Sequence, residues 1–261
     1  MRRRGAANPA SHVAINLALY GISGPAWAMT ERGAGALSQT ETTLTIGPSQ
    51  LAYQPDGSLL ITIDERAAPI PRRLRGTIHL TPTAIFDRTY TLDDNHRHGW
   101  TPLAPCAQVS LNFTHPKLAW QGNAYLDSNA GTAPLEADFT RWDWSRATLP
   151  DGSTIVLYDA TRANGSRLAL ARHFHPDGTV NSLPMPPRAP LPRGLWRMPR
   201  ATHSETTAHI LKNLEDSPFY TRALVQTHLL GQPVAAFQES LSLTRFGQRW
   251  VQALLPYRMP R

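Results

Sequence analysis

Residues 150–178 read PDGSTIVLYDATRANGSRLALARHFHPDG, a stretch in which turn signals alternate with short apolar runs. The tripeptide Pro-Asp-Gly stands at 150–152 and again at 176–178, and Asn-Gly stands between them at 164–165. These residue types are typical of hairpin turns, because Gly and Asn adopt positive φ with little strain. The intervening runs, Thr154–Tyr158 and Leu168–His173, have the length and composition of strands. The stretch therefore predicts consecutive β-hairpins.

The same pattern extends along the rest of the chain. Apolar residues alternate with smaller or more polar ones in Val13–Leu19 and Val109–Phe113, as in strands with one buried face. Turn signals recur at 55–57 and 231–233. Further short β-like runs are Leu59–Ile63, Thr77–Leu80, Ala223–Leu229 and Ala235–Leu243. Many short strands joined by regular turns predict an all-β sandwich or barrel.

Two segments depart from this pattern. Ile210, Leu211 and Leu214 fall near helical spacing, so Thr206–Glu215 is the best candidate for a helix. Ser182–Arg200 is dense in proline and arginine, residues that do not suit sheet interiors, and proline also resists helix formation. We expect this second segment to be a long connection across the surface.

Length and composition indicate a folded protein with many turns. The chain has 261 residues, of which 41% are apolar, and its 23 prolines and 17 glycines punctuate turns. A change in character between Pro102 and Pro116 predicts a domain boundary, which gives two domains at residues 1–115 and 116–261. Cys106 is the only cysteine, so no intramolecular disulfide forms and nothing indicates an oxidising compartment.

The charge balance favours an anionic partner. The net charge is +7, and the arginines cluster at Arg2–Arg4, Arg72–Arg75, Arg188–Arg200 and Arg258–Arg261. Any single cluster is more often a solvated basic face than a binding site. Nucleic acid is disfavoured because the aromatic residues cluster with acids rather than with arginines. We expect no transmembrane helix, because no long apolar span occurs, and no signal peptide, because the basic start leads into polar residues.

One acidic residue, Asp127, follows the aromatic residues Trp120 and Tyr125 in Trp120–Gly131, which reads WQGNAYLDSNAG. In an extended segment Tyr125 and Asp127 point to the same side, and upstream His98 and Trp100 share a face by the same rule. The two pairs together would supply an acid, a histidine and two electron-rich rings. Such a set suits chemistry that creates a positive charge beside an apolar substrate, because an aromatic face stabilises a cation where water is excluded.

Several long motifs resemble the carotenoid 1,2-hydratase (hydroxyneurosporene synthase) family. They are Trp120–Asn129, Arg141–Arg146, Ala26–Gly33, Arg72–Gly76, Leu214–Tyr220 and Leu255–Arg261. The resemblance implies a cofactor-independent hydro-lyase that adds water across the terminal C1=C2 double bond of acyclic carotenes such as neurosporene and lycopene. It also implies two paired lipocalin-like β domains. The catalytic acid of the family falls on Asp127, and its other functional positions fall on His98, Trp100 and Tyr125.

The implied reaction sets demands on these residues. A proton must reach C2, and water then captures the tertiary cation at C1. Free aspartic acid has a pKa near ~3.9, so Asp127 needs an apolar pocket or a hydrogen-bonded partner to keep its proton. His98 either returns a proton to Asp127 or takes one from the attacking water. Trp100 and Tyr125 would face the cation, each contributing about 2 kcal/mol.

Other acids and aromatics are weaker candidates. We expect Trp142, Trp144 and Asp143 to line the substrate pocket, with Asp143 as the second candidate for the proton donor and Asp159 as the third. By residue type alone, an aspartate in a Leu-Asp-Ser-Asn context, such as Asp127, is more often a turn or cap residue. Buried aromatics are likewise more often core residues.

The resemblance also predicts that the first domain is truncated. Family members usually carry aromatic-rich strands upstream of the Arg-rich stretch that opens this chain, so we expect an open sheet edge there. Two other functions stay open: a non-catalytic lipocalin-like binder of apolar ligands, and a related enzyme that shapes polyenes for cyclisation.

We expect no metal, cofactor or nucleotide. The pairs His96/His98 and His173/His175 lack a third ligand at convincing spacing, and no glycine-rich phosphate loop occurs. The expected partners are an acyclic carotenoid, water and, by peripheral contact, an anionic membrane surface on the cytoplasmic side, and not nucleic acid.

Overall fold

The computed structural model describes residues 8–21 and 26–259, with only the backbone of Arg258. The basic run Arg2–Arg4 and the last two residues of the basic tail, Pro260 and Arg261, lie outside the described residues. Strands make up most of the described chain, which confirms the predicted all-β class. The described residues form two compact units: those within 1–82, 108–122 and 253–261 belong to the first, and those within 83–107 and 123–252 to the second.

The first unit contains short antiparallel strands and the far ends of two long ones. The short strands are β1 (Asn16–Leu19), β2 (Ala26–Met29), β3 (Leu37–Gln39), β4 (Thr43–Ile46), β5 (Ser49–Tyr53), β6 (Leu59–Arg66) and β7 (Arg73–Pro82). The next three strands are β8 (Tyr90–Thr91), β9 (His98–His115) and β10 (Lys117–Gly131). The order β10-β9-β7-β6-β5-β4-β3, with β8 added beside β9, forms an eight-stranded sheet, and β1 pairs with β2.

The second unit is dominated by a seven-stranded antiparallel sheet. Its elements are α1 (Leu135–Asp138), β11 (Phe139–Thr148), β12 (Thr154–Arg162), β13 (Arg167–Phe174), β14 (Val180–Ser182), β15 (Arg188–Leu191), β16 (Arg200–His203), β17 (His209–Asp216), β18 (Tyr220–Leu229), β19 (Gln232–Ser242) and α2 (Leu243–Phe246). The sheet has the order β14-β13-β12-β11-β19-β18-β17, and β15 pairs with β16. A last helix, α3 (Arg249–Arg258), follows.

The predicted hairpins at 150–178 are confirmed. Gly152 and Gly165 have φ of +82° and +85°, and each closes a turn by a 3.0 Å hydrogen bond from its N–H to a carbonyl three residues back. A side chain other than hydrogen would be strained at these φ values. Tight turns of this kind bring β11, β12 and β13 together as neighbours.

Alternation along β11 gives the seven-stranded sheet two different faces. Asp143, Ser145 and Ala147 are buried on one face, and the last of these packs in a cluster of small and aliphatic residues. Trp142 and Trp144 pack on the other face in a cluster rich in aromatic rings. The candidate site lies on this aromatic face.

Two local predictions are wrong. Thr206–Glu215 is not a helix, because His209–Asp216 forms β17 at the edge of the sheet. Its pairing with β18 carries irregularities between Ile210 and Lys212 and between Asn213 and Glu215, and these disturb the two-residue period. Ser182–Arg200 is not wholly a surface connection, because it contains the paired strand β15, in which Ala189 and Leu191 are buried.

The two compact units do not follow the proposed boundary at residues 115 and 116. That boundary falls at the tip of the hairpin between β9 and β10, and both strands run from one unit into the other. Long strands shared in this way make each unit discontinuous in sequence. Among the described residues, no helix has the length and apolarity that crossing a membrane requires.

Candidate active site

Asp127 accepts two hydrogen bonds on one carboxylate oxygen. The Tyr125 hydroxyl donates to Oδ2 over 2.9 Å, and the Trp100 indole N–H donates to the same atom over 2.8 Å. Trp100 also lies 3.2 Å from the Tyr125 hydroxyl oxygen, so the three side chains form one cluster. Both bonds end on Oδ2, so Oδ1 takes part in neither of them.

Burial sets the protonation of this cluster. It raises the pKa of Asp127, and the hydrogen bonds from Trp100 and Tyr125 oppose that rise only in part. Burial, followed by the nearby Asp127 charge, also raises the pKa of Tyr125, which keeps its hydroxyl proton as a donor. The arrangement therefore favours a protonated acid at a higher pH than a free aspartic acid would allow.

Asp127 opens into a cavity of about 690 Å³ within the second unit. Its apolar wall is aromatic: the rings of Tyr125 and Trp144 lie 5.4 Å apart, and those of Trp142 and Tyr158 lie 6.3 Å apart. Trp142 and Trp144 therefore line this cavity together with Asp127. A surface of this kind suits an apolar, unsaturated ligand.

Trp100 supports this wall from behind. It is fully buried, and its ring lies 5.3 Å from that of Tyr90 and 5.6 Å from that of Tyr158. Packing fixes the indole, so its N–H has a defined direction toward Asp127.

The cavity also contains charged side chains. Arg146 follows Trp142 and Trp144 on the same face of β11, and its guanidinium lies 5.3 Å from the Tyr125 ring centre and 4.8 Å from that of Phe237. Arg222 and Glu239 form an ion pair at 2.8 Å on the same wall. None of these three was among the predicted site residues: Arg146 lies in the Arg141–Arg146 motif and two residues after Trp144, whereas no local motif connects Arg222 on β18 and Glu239 on β19 to that strand.

His98 lines the same cavity but has another partner. Its Nε2 lies 2.8 Å from Asp138 Oδ2, and both side chains are almost completely buried. Arg97 forms a second, short ion pair with Asp138, and its hydrogen bond lowers the pKa of this carboxyl against the effect of burial. In the part of the chain that the structure describes, His98 makes no hydrogen bond to Asp127. Asp138 was not predicted from sequence.

The loop before β9 fixes the position of His98. The Asp93 carboxylate accepts hydrogen bonds from the backbone N–H groups of Asn95, Arg97 and His98, at 3.0, 3.0 and 2.7 Å. These bonds organise a tight turn, in which His96 adopts a φ of +57°. The turn delivers His98 and, two residues later, Trp100 to one face, as alternation predicts.

Asp143 does not share the cavity with its neighbours Trp142 and Trp144, so its prediction as a substrate-binding residue is corrected. It lies on the opposite face of β11, where it pairs with Arg141 at 3.0 Å and Arg188 at 3.1 Å and accepts a short hydrogen bond from Ser240. Strand alternation sends adjacent residues to opposite faces.

Asp159, the third candidate for the proton donor, is also engaged elsewhere. It pairs with Arg167 at 2.6 Å and with His203 at 2.9 Å, and these bonds lower its pKa despite burial. A low pKa keeps the carboxyl ionised, and an ionised carboxylate has no proton to donate at neutral pH.

The described residues contain no group of three or more His, Cys, Asp or Glu side chains that could hold a metal ion.

Comparison with known proteins connects these residues to a family. The sequence profile described as "Carotenoid hydratase CrtC" matches residues 1–261. The acyclic carotenoid 1,2-hydratase of Thiocapsa roseopersicina is 48% identical over the whole chain, and that of Rubrivivax gelatinosus is 42% identical over 98% of it. The chain spans 64% and 63% of the length of these two relatives. The acyclic carotenoid 1,2-hydratase of Cereibacter sphaeroides is 38% identical, and the chain spans 93% of it.

One solved structure bears on the fold alone. The crystal structure of an AttH protein from Nitrosomonas europaea is similar with a TM-score of 0.63 at 17% identity, over 84% of this chain and 76% of the other. This likeness agrees with the lipocalin-like all-β architecture that the sequence resemblance implied.

Proposed function

Because the chain belongs to the carotenoid hydratase CrtC family, we propose that it is an acyclic carotenoid 1,2-hydratase. The substrate is an acyclic carotene such as lycopene or neurosporene, and the product is its tertiary alcohol. The observation that carries the proposal is Asp127, a carboxyl of raised pKa that is held by two donors at the edge of an aromatic cavity.

The proposed first step is proton transfer from Asp127 to C2. An alkene is a weak base, so proton transfer to it from a carboxylic acid requires the acid to be held in place against the double bond, and the Trp100 and Tyr125 bonds supply that positioning. When the proton leaves, the same two donors stabilise the new carboxylate. They therefore strengthen their interaction as the reaction proceeds, which is the property that accelerates a step.

The proposed cation at C1 is stabilised by the rings around it. Tyr125 and Trp144 line the cavity with their ring centres 5.4 Å apart, and a ring close to a desolvated cation contributes about 2 kcal/mol. Arg146 is a cation in the same wall, but its guanidinium lies over the Tyr125 and Phe237 rings, and its charge lowers the pKa of Asp127. It would thereby balance the carboxylate that forms when Asp127 gives up its proton.

Product analysis tests this proposal. Purified protein supplied with lycopene in detergent should convert it to a product heavier by one water, and Asp127→Asn should lower kcat by about 100-fold or more. Asp143→Asn is the matched control, because this aspartate is buried on the opposite face of β11, and it should retain activity.

Three outcomes would contradict the proposal. Full activity in a folded Asp127→Asn variant would exclude Asp127 as the acid. Carotene binding without turnover by the unmodified protein would identify a binder, and cyclic products would identify a cyclising enzyme.

We also propose peripheral contact with an anionic membrane on the cytoplasmic side, where a carotene would be dissolved. An exposed surface of the second unit supports it: Leu195 is 87% exposed, and beside it the rings of Trp196 and Trp250 stack 6.0 Å apart while remaining partly exposed. Arg193, Arg197 and Arg249 are exposed around these residues. We call Leu195, Trp196, Trp250 and these arginines the tryptophan surface.

The composition and the support of the tryptophan surface suit a bilayer interface. Tryptophan favours the headgroup level, leucine favours the acyl boundary, and each arginine near an anionic surface contributes about 1 kcal/mol. Arg245 holds the loop by donating to the Trp196 carbonyl oxygen over 2.9 Å, and Asp216 accepts a 2.5 Å bond from the Leu195 N–H. The exposed residues are therefore presented by an anchored backbone.

A further inference from the structure

We infer that Asp138 is a positioning residue that holds His98 as a base toward a water site in the cavity, and that Gly131 keeps this site open. The inference rests on the proposed function, because it assigns the group that takes the proton from the attacking water. The acid side of the reaction belongs to Asp127, and the base side to His98 on another part of the same cavity wall.

The hydrogen bond to Asp138 selects one tautomer of His98. A carboxylate that is ionised and paired with Arg97 can only accept, so the imidazole Nε2 donates its proton over 2.8 Å. In a neutral imidazole the other nitrogen, Nδ1, then carries a lone pair. Within the described residues Nδ1 has no hydrogen-bond partner. It is therefore available to accept a proton from water.

The two nitrogens of His98 have different neighbours. The Phe139 ring packs edge-on against the imidazole, with ring centres 5.2 Å apart, and Asp138 and Arg97 supply the charges on the Nε2 side. On the Nδ1 side lies Gly131, which lines the cavity together with His98. A Cβ added to Gly131 would come within 2.7 Å of Nδ1. Only glycine therefore allows the backbone to lie this close to the ring, and a side chain at this position would cover Nδ1.

In the proposed step, water adds to C1 and gives one proton to His98. After Asp127 has given its proton to C2, a water oxygen forms a bond to C1, and one of its O–H bonds breaks as the proton passes to His98 Nδ1. The alcohol is then complete, Asp127 is ionised and His98 is protonated. Transfer of one proton from His98 to Asp127 through water restores both groups for the next turnover.

The first test replaces Asp138 and reads the tautomer directly. In Asp138→Asn the amide can donate to Nε2, which would place the imidazole proton on Nδ1 and remove the base. We expect ¹⁵N NMR of histidine-labelled protein to show this exchange of tautomer, with the His98 signals assigned by their loss in His98→Gln. We expect kcat for hydration to fall by about 100-fold or more while KM changes little.

The control is a second buried histidine–aspartate pair. Asp159 Oδ2 lies 2.9 Å from His203 Nε2 in the same unit, but neither residue lines the cavity. Asp159→Asn should lower stability and leave kcat unchanged. Wild-type kcat in Asp138→Asn would overturn the inference. So would a lowered kcat with an unchanged His98 tautomer, because the loss would then be structural.

A second variant tests the water site without changing Asp127, His98 or Asp138. Gly131→Ala places a methyl group beside Nδ1, so we expect a loss of kcat comparable with that of Asp138→Asn and an unchanged His98 tautomer. Gly35→Ala is the matched control, because a Cβ there meets nothing within 4 Å. Full activity of Gly131→Ala would refute the open site.

These results separate the inference from the proposed function. If the unmodified protein fails to hydrate carotenes, the proposed function is wrong, whatever the tautomer. If it hydrates them and Asp127→Asn does not, but Asp138→Asn does so at the wild-type rate, only the role of Asp138 is wrong.

Discussion

The Trp100 indole donates a hydrogen bond to Asp127 Oδ2 over 2.8 Å, although the two residues are 27 positions apart. This bond joins the pair His98 and Trp100 on β9 to the pair Tyr125 and Asp127 on β10. A fully buried indole is a rigid donor, since packing on both sides leaves it one orientation. The acid of the proposed reaction is therefore oriented by a residue that itself lies behind the cavity wall.

Replacing Trp100 by phenylalanine should change the pH dependence of the reaction. The hydrogen bond from Trp100 lowers the pKa of Asp127, so its removal raises that pKa further. The acid must be protonated to act, so the descending alkaline limb of the kcat profile should move to higher pH. At its optimum kcat should fall by about tenfold, the equivalent of one hydrogen bond to a charged group.

Trp120→Phe is the control for this change, because Trp120 is partly exposed and lies outside the cavity lining. Its profile should match that of the unmodified protein. An unchanged alkaline limb in Trp100→Phe would show that another group, not Asp127, controls it.

Asp127→Asn should make the protein more stable at neutral pH. Burial raises the pKa of Asp127, so the folded state holds this proton more tightly than the unfolded chain does. The stabilisation is complete at pH below the unfolded value of ~3.9 and is lost as pH rises through the folded pKa. An asparagine at this position does not ionise, so the variant does not lose stability in this way as pH rises. Urea unfolding should therefore show a larger advantage of the variant at pH 7 than at pH 4.

An aspartate with the opposite shift gives the control for this measurement. Hydrogen bonds from the backbone and side chain of Thr179 lower the pKa of Asp177. Asp177→Asn should therefore lose more stability at pH 7 than at pH 4. The same sign of pH dependence in both variants would contradict burial as the cause of the Asp127 shift.

The strands are predictable where their signals are local. A Pro-Asp-Gly or Asn-Gly turn carries its conformation in its own residues, which is why the hairpins at 150–178 are correct. The helix prediction for Thr206–Glu215 fails because the local signal is misleading there. Ile210 and Leu214 imitate a helical period only because irregular pairing interrupts the alternation of β17. Pairing with β18 is a tertiary effect that the local sequence does not contain.

The site residues also divide into those that local sequence predicts and those that only the tertiary structure brings together. Tyr125 with Asp127, and His98 with Trp100, could be paired by alternation within a strand. Asp138 lies 40 positions from His98 on a four-residue helix, and nothing local marks it as a partner. Asp143 was placed with Trp142 and Trp144 because they are adjacent in sequence, and the same alternation excludes it.

Asp143→Ala should cost stability but not activity. Its carboxylate pairs with Arg141 and Arg188 and accepts a hydrogen bond from Ser240. Removing one partner of a buried ion pair costs about 3 kcal/mol, since the remaining groups stay buried without compensation. Chemical unfolding should show this loss, while kcat per folded molecule stays unchanged. A strong loss of kcat in the folded variant would place Asp143 in the reaction after all.

Replacing Leu195, the most exposed apolar residue of the tryptophan surface, should weaken membrane contact. Leu195→Asp replaces an almost fully exposed leucine by an acid among arginines, so binding to vesicles that contain phosphatidylglycerol should fall by about tenfold or more. Leu211→Asp is the matched control, because Leu211 is 54% exposed on β17 outside this surface. Sedimentation with vesicles measures binding, and hydration of lycopene in detergent shows that the cavity is intact. Equal binding of both variants would contradict the tryptophan surface as the contact. Loss of activity in detergent as well would show damage to the fold instead.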